Sequence, residues 1–384
     1  VLAPEDLGYG DVLIGGDKLA AMAPRLEVPP SWNCREIRLD GYTLVPGLID
    51  GHVHLIGGGG EGGYHTRTPE VTLSGLTRAG VTTVVGCLGT DGTTRHMASL
   101  LAKARGLESE GVTAFIYSGA YEVPTVTLTG SVRQDLILID KVIAAGEIAI
   151  SDHRSSQPLR PAIQQLAAEA RVGGLLSGKA GVLHLHVGDG KSGLGMLSAI
   201  VDESEIPITQ FVPTHLNRNP QLLEEAIAWG KRGGFIDFTS GVSPASGVVR
   251  AVRASRAIAQ AVAAGVSLDR ITMSSDGNGS MPLFDDKGAM IGLMVASLDS
   301  LLVELRELVL TEGMPLEQAL QVVTASVAKA LKLWPRKGSL QVGADADLLV
   351  LDGELTPVQV WARGRLMVEK GEPVAWGTFE RRPG

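Results

Sequence analysis

Two histidines one residue apart, His52 and His54, close the run Val45-Pro-Gly-Leu-Ile-Asp-Gly-His-Val-His-Leu. The apolar stretch that leads into them (residues 42–49) reads as a buried strand, and side chains alternate across a strand, so both imidazoles leave it on one face. Neutral imidazole is the commonest metal-ligating side chain, and two on one face make half of a zinc site. The competing reading is one packed and one solvated histidine, and other chemistry-bearing residues decide against it. His186 ends the apolar segment 182–186, His215 ends 208–215, and Asp276 follows 271–275. His52, His54, His186, His215 and Asp276 are therefore expected to ligate metal. Asp276, otherwise an ordinary turn residue in Ser274-Ser-Asp-Gly-Asn-Gly-Ser, is also expected to be the general base. His184 shares the face of His186 but lies deeper, and packing in the interior is expected of it. His153 reads equally as a supporting residue or a solvated one, and His65 and His96 receive no role.

These positions need a scaffold that brings many strand ends together. Between about residues 46 and 338, strand-like apolar runs alternate with helix-length segments, the signature of βαβ units. The run into His52 and segments 81–87, 112–118, 147–151, 182–186, 208–215, 235–240 and 271–275 make eight strands; helices are expected over 131–144, 220–232 and 248–264. The ligand spacing has the same rhythm: 29 residues from His186 to His215, 61 from His215 to Asp276, and 224 from His52 to Asp276. At that rate eight units match the roughly 250 residues of a (β/α)8 barrel, whose active sites lie at the C-terminal strand ends. The expected fold is α/β: a barrel over 46–338 interrupting a small β-sandwich built from residues 1–45 and 339–384. Short β-like runs at 11–15, 36–39, 343–352 and 358–368 supply that sandwich.

Composition narrows the partners. The chain has 384 residues, 44% of them hydrophobic, with a mean hydropathy of +0.17. No apolar run approaches the ~18 residues of a membrane span. Residues 1–6 lack the basic start and apolar core of a signal peptide. The sequence opens on Val1 without a methionine, so a short preceding piece is expected. Its two cysteines, Cys34 and Cys87, form no spaced ligand set, which favours a reduced cytoplasmic protein. A net charge of −8 without a basic cluster argues against nucleic acid as a partner.

The chain resembles the amidohydrolase superfamily and, within it, the isoaspartyl (β-aspartyl) dipeptidases. The resemblance rests on Pro46-Gly-Leu-Ile-Asp-Gly-His-Val-His-Leu-Ile-Gly-Gly-Gly-Gly-Glu61, Thr66-Arg-Thr-Pro-Glu-Val, Ser118-Gly-Ala-Tyr-Glu-Val-Pro, Ile150-Ser-Asp-His-Arg154, Pro213-Thr-His-Leu-Asn-Arg218 and Ser274-Ser-Asp-Gly-Asn-Gly-Ser280. The histidine pair marks the superfamily; the glycine-rich loop ending in Glu61 and the Asn-Arg after His215 mark the dipeptidases. The resemblance implies hydrolysis of a dipeptide joined through an aspartyl side chain, with two divalent metal ions, zinc by expectation, activating a water. Asp276 takes that water's proton and passes it to the leaving amine. Glu61 holds the substrate's α-ammonium; Arg154, Arg218 and Ser280 hold carboxylates; Thr90 joins the substrate site; Tyr121 assists the developing oxyanion. Those types suit those charges, since arginine forks match planar carboxylates. The resemblance also implies a homo-oligomer.

One position departs from the family. Where its members carry a carboxylated lysine that bridges the metals, this chain has Glu147. Glutamate supplies a bridging carboxylate directly, three bonds nearer the backbone, so the site must close in or one metal must bind differently. Two other readings stand beside the dipeptidase. Another amidohydrolase, acting on a cyclic amide or an N-acetyl sugar, would not require the set Glu61, Arg154 and Arg218. A non-catalytic barrel used in assembly should have lost ligands that are all present here.

Overall fold

Continuous apolar runs, rich in Val, Ile and Ala, become strands buried on both faces, as a parallel sheet covered by helices demands. The structure, a computed structural model, describes residues 1–244, 248–284 and 290–381. Three short strands come first: β1 (Asp11–Gly15), β2 (Lys18–Ala23) and β3 (Thr43–Pro46). The parallel set follows: β4 (Leu48–Val53), β5 (Val81–Gly86), β6 (Thr113–Ser118), β7 (Val142–Ile150), β8 (Leu183–Val187), β9 (Phe211–Thr214), β10 (Ile236–Thr239) and β11 (Ile271–Ser274). Strands β4 to β9 are hydrogen-bonded in chain order, and β10 pairs with β11 in parallel. Leu216 N donates to Asp237 O and so joins the end of β9 to β10. Val53 bridges Gly277 in parallel and so joins the ends of β11 and β4. The eight strands thus form the expected barrel.

Helices α1 (Leu73–Arg78), α2 (Met97–Glu110), α3 (Val132–Leu138), α4 (Arg160–Ser177), α5 (Gly195–Glu203), α6 (Pro220–Lys231), α7 (Ala254–Ala263) and α8 (Ser300–Leu310) flank the strands. Helix α6 shows how sharply the rim is defined. Asn219 accepts from Leu222 N at 2.9 Å and Pro220 opens the first turn, so the helix starts five residues after His215. An antiparallel hairpin, β12 (Ser280–Phe284) and β13 (Met290–Val295), rises beyond β11.

Beyond the barrel, β14 (Leu348–Leu351), β15 (Pro357–Ala362), β16 (Arg365–Glu369) and β17 (Glu372–Pro373) form an antiparallel sheet whose last member is β3 from the other end of the chain. Leu19, Leu44, Leu348 and Val350 share one apolar cluster over that junction. No helix among the described residues is long and apolar enough to cross a membrane.

Several expected boundaries shift. Strand β7 begins at Val142, not 147, and α3 stops at Leu138 instead of running to 144. The run Val142-Ile-Ala-Ala-Gly is apolar in either period, and burial on both faces makes it a strand. Glu147 is consequently sixth of nine strand residues rather than at the strand's start. Helix α7 begins at Ala254, not 248, because Glu304 accepts Ser255 N at 2.8 Å and fixes the first turn there. Residues 208–210 form a 3-10 turn ahead of β9, and residues 36–39, exposed or half-buried, form no strand.

Candidate active site

Strand β4 delivers His52 and His54 to the barrel mouth, and His54 N donates to Gly277 O at 2.9 Å, which sets its height against Asp276. His52 Nε2 lies 3.3 Å from Glu147 Oε2 and 3.4 Å from Asp276 Oδ1, while His54 Nε2 is 3.0 Å from the same Oδ1. On the other side, His186 Nδ1 and His215 Nε2 approach Glu147 Oε1 at 3.0 and 3.2 Å. Ligand atoms around a tetrahedral zinc with Zn–N bonds of about 2.0–2.1 Å stand roughly 3.3 Å apart. Each half of the cluster has that spacing, and Glu147 turns one oxygen to each half.

The donor chemistry fits cations. Two groups of side chains are close enough to share an ion: His52, His54, Cys87 and Glu147, and Glu147, His186 and His215. Among the described residues, His52 Nε2 and Glu147 Oε2 are buried with no hydrogen-bond partner, an expensive state unless an ion satisfies them. The distal ring nitrogens are partnered. His52 Nδ1 meets His184 Nε2 at 2.8 Å, His186 Nε2 meets Asp152 Oδ2 at 2.8 Å, and His215 Nδ1 meets Thr239 Oγ1 at 2.6 Å. His54 Nδ1 faces Cys87 Sγ at 3.7 Å. Partners on the distal nitrogen fix which nitrogen faces the metal. His215 and Asp276 hold left-handed backbone, with φ of 64° and 57°, strain of the kind retained at functional sites.

Charges in the cluster follow from burial and neighbours. Burial disfavours ionised Asp276, but the His54 hydrogen bond and the charges of His52 and His215 outweigh it and hold the carboxyl well below the usual carboxylate range. Burial opposes Glu147 in the same way, and His52, His186 and His215 hold it low. Tyr121 moves the other way: burial and the negative charge of Glu147 push its hydroxyl well above the ordinary phenol value, so it stays protonated.

Around the cluster stand the expected substrate residues. Tyr121 Oη is 2.7 Å from His186 Nδ1. Arg154 donates from Nη2 to Asp152 Oδ2 at 2.8 Å and from Nη1 to Glu61 Oε1 at 3.3 Å, and Thr90 Oγ1 donates to the same Glu61 oxygen at 2.8 Å. Arg218 has a buried Nε without a partner among the described residues, and its charge acts on both Tyr121 and His215. Ser280 opens β12 against the glycine-rich loop. A Cβ on Gly59 would lie 2.6 Å from Ser280 Cβ, so only glycine lets the loop pass there. Gly89 is equally constrained, since its Cβ would sit 2.6 Å from His54 Cε1. Arg95, buried, clamps the loop by donating to Gly58 O at 2.6 Å and Gly59 O at 3.0 Å.

Sequence reasoning missed Cys87, Asp152, Thr239 and Arg95 as parts of this site. Asp152 carried a signal, lying beside Arg154 in a motif already singled out; the others are defined by contacts across strands or to a loop. His153 proves solvated, its side chain 90% exposed. His184 is interior, as expected, and touches His52 as well.

A model of the amidohydrolase family matches residues 231–371. Among solved structures, the β-aspartyl dipeptidase of Fervidobacterium islandicum AW-1, in complex with a β-Asp-Leu dipeptide, is 45% identical over 97% of this chain and 95% of that one, with a TM-score of 0.87. Dihydropyrimidinase from Brevibacillus agri superposes with a TM-score of 0.68 over 98% and 95% of the two chains, but at 16% identity it speaks for the fold alone. A curated relative, imidazolonepropionase of Yersinia pseudotuberculosis, is 29% identical over 119 residues, 29% of this chain, and the match spans only 28% of that protein's length. Agreement with the dipeptidase runs nearly end to end and includes the barrel and the sheet joining the termini; the chain belongs to the β-aspartyl dipeptidase family of the amidohydrolases.

Proposed function

We propose that the protein hydrolyses the side-chain-linked amide of β-aspartyl dipeptides. The observation that carries this reading is the ion pair of Glu61 and Arg154 beside the histidine–Glu147 cluster, with the buried Nε of Arg218 unpartnered nearby among the described residues. A zwitterionic substrate can replace such a pair with two of its own: ammonium to Glu61, carboxylate to a guanidinium fork. A neutral ring or a sugar offers neither charge. The β-Asp-Leu complex of the Fervidobacterium relative supports the same substrate class.

His52, His54, Asp276 and one oxygen of Glu147 would hold one divalent ion; His186, His215 and the other oxygen would hold a second, zinc in both cases. Bound ions supply an activated water at neutral pH and a polarised amide carbonyl. Asp276, ionised and facing His52 and His54, accepts the proton of the attacking water and delivers it to the departing amine nitrogen. Without that transfer the tetrahedral intermediate reverts. Tyr121, protonated, donates from Oη to the oxyanion as charge develops there. Arg218 and Ser280 hold the substrate's carboxylates, and Thr90 orients Glu61. Residues 46–338 form the hydrolase domain, and the enzyme works as a cytoplasmic homo-oligomer.

The test compares both isomers of one dipeptide with zinc present. Fast cleavage of the β-linked isomer, slow cleavage of the α-linked one, and loss of activity on full chelation are expected. Equal rates, or turnover surviving chelation, would refute the reading. Arg218→Ala is expected to lower kcat/KM about 30-fold or more, because truncating one partner of a buried charge pair costs about 2–5 kcal/mol, at 1.4 kcal/mol per decade. Metal content should be unchanged; a near-normal kcat/KM would reduce Arg218 to a surface charge.

A further inference from the structure

We propose that His184 is a positioning residue for the metal centre: its Nε2 accepts the Nδ1 proton of His52 and thereby leaves His52 Nε2 bare toward the ion. The inference rests on the ligand set proposed above. The two nitrogens are 2.8 Å apart in a buried setting, and a hydrogen bond there has only two arrangements. If His184 donated, His52 would carry its proton on Nε2, between Glu147 Oε2 and Asp276 Oδ1, and no cation could sit there. If His184 accepts, its own proton lies on Nδ1, which is buried and has no hydrogen-bond partner among the described residues. The fold tolerates that unsatisfied N–H in exchange for the right face of His52.

The ring is held from below as well. Tyr117 stacks on it at 4.7 Å between centroids and 9° between planes. Tyr117 Oη in turn donates to Gly51 O at 2.7 Å, the carbonyl just ahead of His52. On the flank, a Cβ on Gly146 would lie 2.6 Å from His184 O and 2.9 Å from His184 Cβ. The residue preceding Glu147 must therefore be small for β7 and β8 to approach. His184 thus meets His52 through its ring, and its backbone and Cβ lie against the residue ahead of the carboxylate facing both halves. His186 and His215 draw their orientation from a carboxylate and a hydroxyl, whereas His52 draws it from a second imidazole.

Two variants separate acceptor from filler. His184→Phe keeps a flat ring on Tyr117 and removes the acceptor; His184→Gln offers a carbonyl oxygen at the reach of Nε2. Zinc affinity is measured by competition with a chelator, Co2+ binding by the visible spectrum of the loaded protein, and integrity by thermal unfolding of the metal-free chain. His184→Phe is expected to hold one of the two ions about 10–100-fold more weakly, the usual effect of losing a metal ligand's outer partner, with an altered Co2+ spectrum and an apo Tm no lower than the parent's. His184→Gln should recover most of that affinity. Parental affinity for both ions in His184→Phe overturns the proposal, as does equal weakening in both variants or a metal loss matched by lost apo stability. A parent that binds fewer than two ions would instead refute the ligand set itself, and this proposal with it.

Discussion

Asp276→Asn is expected to lower kcat by about 10²–10⁴-fold, the usual range for removing a positioned general base, while the protein still folds. The amide keeps an oxygen for the contact that Oδ1 makes with His54 Nε2 at 3.0 Å, so the cluster's shape should survive, but it can neither take the water's proton nor return it to the amine. Metal content must be followed in parallel, because the same oxygen lies 3.4 Å from His52 Nε2 and one ion could be lost as well. A variant that keeps both ions and turns over within about fivefold of the parent sinks the general-base role. The pH profile gives a second readout. His54, His52 and His215 hold Asp276 well below the ordinary carboxylate range despite its burial, so the base is already ionised at mildly acidic pH. Activity lost at mildly acidic pH is then not a titration of this base; protons competing with metal for the histidines are the expected cause, and added zinc should partly restore it.

How much of this site could be read from the chain alone depends on what kind of fact each residue is. His52 and His54 were legible because strand alternation is local. His186, His215 and Asp276 were legible because one βα unit repeats at a near-constant length, so a register set at one strand end predicts the others. Strand β7 was misplaced because Val142-Ile-Ala-Ala-Gly satisfies helix and strand patterns alike, and only burial on both faces distinguishes them. The pairings of the outer partners were illegible for a different reason. Asp152, Thr239, His184 and Cys87 each support a histidine on another strand, and which distal nitrogen they meet is settled by barrel closure. The Glu61–Arg154 contact lies between these extremes: both charges carried family signals, but their pairing depends on a glycine-rich loop that Arg95 pins from beneath.

Glu147→Ala should abolish activity and cost at least one ion per chain, because Glu147 is the group that touches both halves of the cluster. Its Oε2 faces His52 Nε2 at 3.3 Å, and its Oε1 faces His186 Nδ1 and His215 Nε2 at 3.0 and 3.2 Å. The concern raised by its short side chain, three bonds nearer the backbone than a carbamate, is met by position: Glu147 sits inside β7, three residues before its end, and the histidines converge on it. Two adjacent dications repel strongly in a buried site, and a carboxylate between them offsets that repulsion. Glu147→Gln separates charge from shape. It preserves one oxygen and the packing but removes the negative charge, so it should lose metal nearly as badly as the alanine variant. A glutamate needs no added CO2, so reloading the metal-free parent with zinc should restore activity equally with and without bicarbonate. Bicarbonate dependence would mean that some other group bridges the ions. An alanine variant that retained two tightly held ions and full turnover would remove Glu147 from the ligand set, leaving His186 and His215 to hold the second ion without a carboxylate.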